Sequence, residues 1–245
     1  MAFIPQSVLI TGANRGIGLE FVRQLLNLTP APQVIATVRD PSKATELQKF
    51  AAAHPNLHVL NVEVTDYDSF PSFVEQVKSV LDASGTSGLG LLINNAGVVY
   101  RKNLSDVTKA DMINNYDVNT IAPLMLVKAL LPLLKQSSQS GKRTLVANIT
   151  SRMGSIEDNT SGNHYPYRAS KAALNMVTRS LAVDLKPFAI EATVLHPGWV
   201  QTEMGGAAAK LTTEQSVSSM LKIVFDADKK VSGKFFDFSG SEIPW

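Results

Sequence analysis

The chain has 245 residues, of which 44% are hydrophobic, enough for one large α/β domain or two small ones. Its 23 basic and 21 acidic residues are interspersed and leave a formal charge of +2, so no charged surface for nucleic acid or an anionic membrane is expected. The absence of cysteine excludes disulfides and thiolate metal sites. Because we find no signal-peptide pattern and no run near the roughly 18 apolar residues of a membrane span, we expect a soluble cytoplasmic protein.

The first predicted unit is a strand, a glycine-rich turn and a helix. Ser7–Thr11 is a short apolar run that suits a buried parallel strand, and apolar residues recur at helical spacing from Leu19 onward. Gly12, Gly16 and Gly18 lie between them and let the backbone turn sharply and approach a ligand. The free N–H groups of a helix N-terminus would bind a pyrophosphate here, although the same glycines would also suit a tight turn without a ligand.

The second strand, residues 33–39, bears on which dinucleotide would bind. An NAD site normally has an acidic residue near the end of this strand, where the chain has Thr37 and then Arg39. Arg39 and Arg15 offer two guanidinium groups to a 2′-phosphate, which favours NADPH over NAD(H). Alternatively, both arginines are ordinary surface charges, and Asp40 could neutralise Arg39.

Strands and helices continue to alternate along the rest of the chain. We predict strands at residues 57–62, 89–97, 145–150 and 191–195, and helices at about 41–53, 70–81, 110–135 and 167–186. This alternation predicts a parallel sheet that is covered by helices on both faces and binds ligands beyond the carboxyl ends of its strands.

Tyr167 and Lys171 begin the last of these helices, and their spacing of four places both side chains on one face. A positive charge within a few ångströms favours the phenolate, so we interpret Tyr167 as a general acid/base whose pKa is lowered by Lys171. Tyr165 does not fit this pattern, because Ala169 stands four residues after it. Taken alone, such a pair also occurs on solvated helix faces.

Taken together, these motifs resemble those of the short-chain dehydrogenase/reductase family, in the same order along the whole chain. They comprise residues 11–18 (TGANRGIG), 94–97 (NNAG), Asn119, Ser151, the pair Tyr167 and Lys171, and residues 196–202 (HPGWVQT). Within the family, residues 14–15, Arg39 and the C-terminal stretch 233–245 are most similar to the NADPH-dependent carbonyl reductases of the sniffer and C-factor-like group.

The resemblance implies a doubly wound parallel α/β sheet, the Rossmann fold, with about seven strands in one domain spanning residues 1–245. A C-terminal strand and tail would occupy residues 233–245. Residues 197–215 would form a lid over the substrate, although their small, glycine-containing part at 203–209 would also suit a long surface loop. The two longest helices have more apolar surface than one sheet can cover, and the family usually pairs them, so we expect a homo-oligomer, either a dimer or a tetramer.

The resemblance also assigns four catalytic roles. Ser151 would polarise the substrate carbonyl, Tyr167 would donate the proton, Lys171 would hold the nicotinamide ribose and lower the phenol pKa, and Asn119 would fix a water in the proton relay. The position of Ser151 after the strand 145–150 supports its role, because its hydroxyl would emerge at the ligand edge of the sheet. Ser151 could instead cap a turn, and Asn119 could be a satisfied polar residue in an apolar helix.

Further residues would bind the cofactor by resemblance: Gly12, Asn14, Arg15, Gly16, Ile17, Gly18, Arg39, Val64, Asn94, Ala96, Gly97, Pro197, Gly198, Val200 and Thr202, with Tyr167 and Lys171. The chain departs from the family at Glu63, where an aspartate usually bonds the adenine amino group, so we assign that contact to the backbone of Val64. The interval from Ser151 to Tyr167 is also longer than usual, and residues 156–164 are expected to form a loop beside the pocket. The histidines show no ligand spacing, so no metal site is expected.

Two functions are consistent with these residues. The first is an NADPH-dependent oxidoreductase that reduces a ketone, aldehyde or quinone by hydride transfer, with Tyr167 as proton donor and Met153, Trp199 and Met204 lining the pocket for this small-molecule carbonyl substrate. The second is an NAD(P)-binding signalling or regulatory protein with little turnover, since a fold does not fix a function. The intact set of Ser151, Tyr167 and Lys171 favours the enzyme.

Overall fold

The computed structural model describes residues 4–245. Within this range the strands are β1 (Ser7–Thr11), β2 (Gln33–Val38), β3 (Leu57–Asn61), β4 (Leu91–Asn94), β5 (Thr144–Ile149), β6 (Ile190–His196) and β7 (Phe235–Asp237). They form one parallel sheet in the order β3-β2-β1-β4-β5-β6-β7. The predicted doubly wound α/β fold is confirmed, because the strand order runs outward in both directions from β1 and β4.

Helices cover both faces of this sheet. They are α1 (Gly16–Leu26), α2 (Thr45–Ala53), α3 (Phe70–Ala83), α4 (Lys109–Tyr116), α5 (Ala122–Gln139), α6 (Tyr165–Asp184) and α7 (Thr213–Phe225). One core contains side chains of α1, α2 and α7, and the other contains side chains of α3, α5 and α6. Along β1, Val8 and Ile10 belong to the first core and Leu9 to the second, because successive side chains of a strand point to opposite faces.

Two predicted helices differ from those in the structure. The helix predicted at 110–135 consists of α4 and α5, which are joined by a π-helical turn at Asp117–Ile121 that contains Asn119. The helix predicted to begin at Tyr167 begins two residues earlier, at Tyr165, with Pro166 in its first turn. Proline suits that position, because its fixed φ is helical and the first N–H groups of a helix lack intrahelical partners.

The segment Lys109–Gln139 is long and apolar enough to cross a membrane by length and composition, although we expected no such stretch. Half of its most apolar window is buried within the protein. Leu126, Leu130 and Leu134 of α5 pack into the second core. Packing into the second core therefore accounts for the buried half of its apolar surface.

Candidate active site

A cleft of about 660 Å³ opens beyond the carboxyl ends of β1 and β4, where the strand order reverses. Ligands of doubly wound sheets bind at this point. The glycine turn, residues 12–18, lines the cleft together with residues 95–98, which follow β4. The lining also contains Tyr167 and Lys171 of α6 and residues 201–204, which follow β6.

The glycine turn comes close to its neighbours. Gly12 and Gly16 have φ angles of +65° and +55°, in the left-handed region that favours glycine. Gly18 lies in α1, and a Cβ atom there would be 2.2 Å from the carbonyl oxygen of Gly12 and 2.7 Å from Nδ2 of Asn95. Only a residue without a side chain fits at position 18 without displacing the turn.

The start of α1 is suited to an anion. The residue before the helix, Arg15, makes no side-chain capping hydrogen bond, and the first turn of α1 contains no acidic residue. Its free N–H groups and the positive end of the helix dipole therefore lie beside the cleft. These residues fit a dinucleotide pyrophosphate, as the sequence predicts.

Asn95 supports the glycine turn, and it belongs to the motif at 94–97 but is not among the residues predicted to bind the cofactor. Its side-chain amide donates to the carbonyl oxygens of Thr11 and Gly12 over 2.9 and 3.1 Å. The hydroxyl of Thr11 accepts hydrogen bonds from the N–H groups of Asn95 and Ala96, both at 3.0 Å. Asn95 thus fixes the glycine turn to the end of β4. A side chain that bonds main-chain atoms more than eighty residues away leaves no signal in sequence spacing.

Most residues predicted to bind the cofactor do line the cleft. These are Gly12, Asn14, Arg15, Gly16, Ile17, Gly18, Arg39, Val64, Ala96, Gly97, Tyr167, Lys171, Pro197 and Thr202. Asn94 does not, because its buried side chain donates to Oδ1 of Asn148 on the neighbouring strand over 2.8 Å. Gly198 and Val200 also lie behind the lining. At Gly198, where φ is +81°, a Cβ atom would be 2.3 Å from the side chain of Leu211.

The residues that bear on the choice of cofactor lie at the far end of this cleft. Arg15 and Arg39 are exposed, and Arg15 forms an ion pair with Glu203. Thr37 is fully buried, and its hydroxyl donates to the carbonyl of Ile10. No carboxylate therefore stands where an NAD site would have one.

Glu63 lines the cleft beside Val64, but its carboxylate is engaged in its own turn. It accepts hydrogen bonds from the N–H and the hydroxyl of Thr65 at 3.3 and 3.0 Å. This geometry supports the assignment of the adenine contact to the backbone of Val64.

Lys171 and Tyr167 lie side by side within the cleft. The Lys171 ammonium is 5.8 Å from the centre of the Tyr167 ring and donates to the carbonyl of Ile149 over 2.9 Å. Burial lowers the pKa of Lys171 to about 8. Burial also raises the pKa of Tyr167 above its ordinary value, while a hydrogen bond with Ser151 and the charge of Arg101 act in the opposite direction. The expected lowering of the Tyr167 pKa is therefore wrong, since the loss of hydration on burial outweighs the effects that lower it.

Ser151 lies two residues beyond the end of β5 and is 8% exposed. Its hydroxyl accepts a hydrogen bond from the N–H of Met153 at 3.2 Å, which caps the short 3₁₀ turn Arg152–Gly154. Ser151 also acts to lower the pKa of the Tyr167 phenol, although it does not line the cleft itself. The interpretation of Ser151 as a turn cap is therefore confirmed, and its catalytic role stays a prediction.

Asn119 is fully buried in the π-helical turn and does not line the cleft. Its amide group pairs with the N–H and the carbonyl of Val98, both at 2.9 Å, and donates to the hydroxyl of Ser170 at 3.0 Å. A Cβ atom at Gly97 would be 3.1 Å from the Asn119 carbonyl oxygen and 3.7 Å from the Lys171 ammonium. Asn119 therefore holds the chain after β4 close to Lys171, and its side chain is satisfied by the protein.

Residues 197–215, which we call the lid segment, are attached to both sides of the cleft. Trp199 donates from its indole nitrogen to the carbonyl of Gly205 over 2.8 Å within the segment. Glu203 pairs with Arg15, and the carbonyl of Met204 accepts a hydrogen bond from Arg101. Met204 lines the cleft, whereas Met153 and Trp199, predicted to line the substrate pocket, do not.

This arrangement can perform acid–base chemistry next to a bound dinucleotide. The phenol of Tyr167 and the ammonium of Lys171 line the same cleft as the start of α1 and the guanidinium-bearing residues Arg15 and Arg39, and Ser151 acts on that phenol from behind the lining. Such a set can polarise a carbonyl and exchange a proton with its oxygen.

Known proteins share this architecture. C-signal of Myxococcus xanthus is 47% identical over 161 residues, which cover 65% of this chain and 95% of C-signal. Carbonyl reductase Sniffer of D. melanogaster has a TM-score of 0.95 and 37% identity, with 99% of this chain and 100% of that chain covered. An NADPH-bound carbonyl reductase from chicken fatty liver has a TM-score of 0.93 and 44% identity, with 98% and 99% covered.

A family model also matches most of the chain. Residues 6–212 match the family model described as short chain dehydrogenase, and this range contains the glycine turn and the residues Ser151, Tyr167 and Lys171. The fold, the cleft and the sequence motifs agree with this match. The chain belongs to the short-chain dehydrogenase/reductase family of oxidoreductases.

Proposed function

We propose that this protein is an NADPH-dependent reductase that converts a ketone, aldehyde or quinone to an alcohol. The observation that carries the proposal is the pair of Tyr167 and Lys171 in the cleft, with the Lys171 ammonium 5.8 Å from the centre of the Tyr167 ring. The D. melanogaster and chicken proteins are named carbonyl reductases, and the chicken structure is described as NADPH-bound. Their similarity over nearly the whole chain supports the same reaction here.

Each catalytic side chain has a physical task in this proposal. When bound, the nicotinamide cofactor supplies the hydride that reduces the carbonyl carbon. Ser151 donates a hydrogen bond to the carbonyl oxygen, where negative charge develops. Tyr167 gives its proton to that oxygen, and burial favours the protonated phenol that this step needs. Lys171, one turn away, stabilises the phenolate that remains.

The preference for NADPH is part of the proposal. The glycine turn and the start of α1 would hold the pyrophosphate, as their free N–H groups favour an anion. Arg15 and Arg39 would bind the 2′-phosphate, because guanidinium groups pair with phosphate oxygens in a bidentate manner. The buried Thr37 leaves no carboxylate to recognise an NAD ribose.

The test follows the absorbance of NADPH and of NADH with a panel of quinones, diketones and aldehydes. We expect turnover by the wild type with NADPH, and a loss of about a hundredfold or more in Tyr167→Phe, since general acids contribute about 10²–10⁴ in rate. Tyr165→Phe is the matched control, because Tyr165 lies on the same helix but is exposed and outside the cleft. Equal rates in Tyr167→Phe and wild type would remove Tyr167 from the mechanism, and equal use of NADH would remove the cofactor preference.

A second candidate is a cofactor-binding signalling protein with little turnover. The similarity to C-signal, which is named as a signal, favours it. The distinguishing observation is tight binding of NADPH without oxidation by any member of the carbonyl panel. Turnover that depends on Tyr167 would contradict this candidate.

We also propose that copies of the chain associate through α4, α5 and α6. Large apolar side chains that are at least 37% exposed lie on these helices: Ile113, Tyr116, Leu124, Met176 and Val183. Exposed apolar clusters of this kind mark interfaces in soluble proteins. Light scattering at micromolar concentration should give the mass of a dimer or tetramer, and a monomer would contradict the proposal.

A further inference from the structure

Arg101 connects two walls of the cleft. It lies in the segment between β4 and α4, and its guanidinium donates a hydrogen bond to the main-chain carbonyl of Met204 in the lid segment. Met204 lines the cleft that Tyr167 and Lys171 also line. The side chain of Arg101 therefore places a positive charge beside the part of the lid segment that lines the cleft.

This charge is not neutralised by the protein. The Met204 contact is the one hydrogen bond that Arg101 makes within residues 4–245, and no Asp or Glu of that range forms an ion pair with it. The neighbouring Lys102, by contrast, has Asp106 at 3.8 Å. A guanidinium has five N–H donors, so the exposed Arg101 has donors available beyond the one that bonds Met204.

The charge of Arg101 also reaches the reacting groups. It favours the ionised form of the Tyr167 phenol against the opposing effect of burial. A cation that acts on the phenol also acts on a substrate held by that phenol, because Coulomb interactions extend over several ångströms. Arg101 can therefore attract a negative group on a substrate whose carbonyl lies at Ser151 and Tyr167.

We propose that Arg101 determines substrate specificity by binding a carboxylate group on the carbonyl substrate, so that the carbonyl is placed at Ser151 and Tyr167. This inference rests on the proposed reductase function and adds the substrate class. Guanidinium groups bind carboxylates through two parallel hydrogen bonds, and they lose little hydration when they do so. One bond to a main-chain carbonyl leaves the fork of Arg101 free for such a partner.

The test compares substrates that differ only in this charge. The 2-, 3- and 4-carboxybenzaldehydes and their methyl esters are reduced with saturating NADPH by wild type, Arg101→Met, Arg101→Lys and Lys102→Met. We compare the ratio of kcat/KM for each acid to kcat/KM for its ester between wild type and variants. Differences in intrinsic reactivity between acid and ester, and any effect of a substitution on the lid segment that is common to both substrates, cancel in this comparison. For at least one isomer, we expect this ratio to fall about tenfold to hundredfold in Arg101→Met, as for a lost charged hydrogen bond.

The two further variants separate charge from packing. Arg101→Lys should have an acid-to-ester ratio between those of wild type and Arg101→Met, because lysine keeps the charge but not the bidentate fork. Lys102→Met removes a charge one residue away and should leave the ratio unchanged. Unchanged ratios in Arg101→Met for all three isomers would overturn the inference. Reduction of the esters by wild type reports separately on the reductase function, whose failure would abolish both activities.

A measurement on wild type alone guards against misfolding of the variants. Benzoate should inhibit reduction of the methyl esters competitively, whereas benzamide, which is neutral and of similar shape, should inhibit about tenfold less. Equal inhibition by the two compounds would contradict carboxylate binding.

Discussion

The ammonium of Lys171 lies 5.8 Å from the centre of the Tyr167 ring, one helical turn away on α6. Burial moves both groups towards their neutral forms, raising the pKa of the phenol and lowering that of the amine to about 8. The protonated phenol is the form that a proton donor needs. The buried pair thus keeps the phenol protonated, at the expense of a poorly hydrated ammonium.

That ammonium makes stability depend on pH. The pKa of Lys171 is about 8 in the folded protein and 10.5 as an ordinary lysine, so the unfolded chain binds more protons between these values. The free energy of unfolding should therefore rise with pH from about 8 to about 10.5, by up to about 1.4 kcal/mol per pH unit. Urea unfolding of wild type and Lys171→Met across this range measures the free energy of unfolding at each pH. The rise with pH should be absent from the variant.

Lys128→Met is the control for this experiment, because Lys128 is exposed on α5. It should follow the wild-type curve. A constant difference between wild type and Lys171→Met over the whole pH range would contradict a lowered pKa at Lys171.

The space around Gly18 predicts a second result. A Cβ atom at this position would be 2.2 Å from the carbonyl oxygen of Gly12, so Gly18→Ala must displace the glycine turn. We expect the variant to lose about 1–3 kcal/mol of stability and to bind NADPH more weakly. Thermal unfolding and titration of NADPH fluorescence measure these two effects.

Gly141→Ala provides a comparison, because its φ is +77° but a Cβ atom there meets nothing within 4 Å. It should lose stability through backbone strain and bind NADPH as the wild type does. If Gly18→Ala also bound NADPH normally, the close approach of α1 to the glycine turn would not matter for the cofactor.

The ion pair between Arg15 and Glu203 predicts a third result. Both side chains are exposed, so the pair contributes little to stability, about 0–1 kcal/mol. The carboxylate competes with a cofactor phosphate for the same guanidinium, so Glu203→Gln should tighten NADPH binding by about two- to fivefold at low salt. The gain should shrink at high salt, where exposed charges are screened.

Glu75→Gln, which removes an exposed carboxylate from α3, is the matched control and should leave the dissociation constant of NADPH unchanged. Weaker binding of NADPH by Glu203→Gln would mean that Glu203 orders the lid segment over the cofactor rather than competing with it.

Local patterns were sufficient to predict most of the fold. The runs that became β1, β2 and β5 are buried on both faces, so most of their residues are apolar and the strands are visible without knowledge of their partners. The spacing of Tyr167 and Lys171 correctly predicted neighbouring side chains, because residues four apart lie on one face of a helix. The π-helical turn at Asp117–Ile121 was not predicted, and its residue Asn119 contacts Val98 and Ser170, which are distant in the sequence.

The sequence by itself determined the family motifs, the doubly wound sheet and the identity of the residues at its ligand edge, because these depend on local spacing and on alternation of buried runs. Only the tertiary structure decided which of these residues contact one another. It placed Asn95 on the glycine turn, Asn94 in the sheet, and Arg101 beside the lid segment and within reach of Tyr167. It also set the ionisation of Tyr167 and Lys171, because hydration depends on atoms brought from distant parts of the chain.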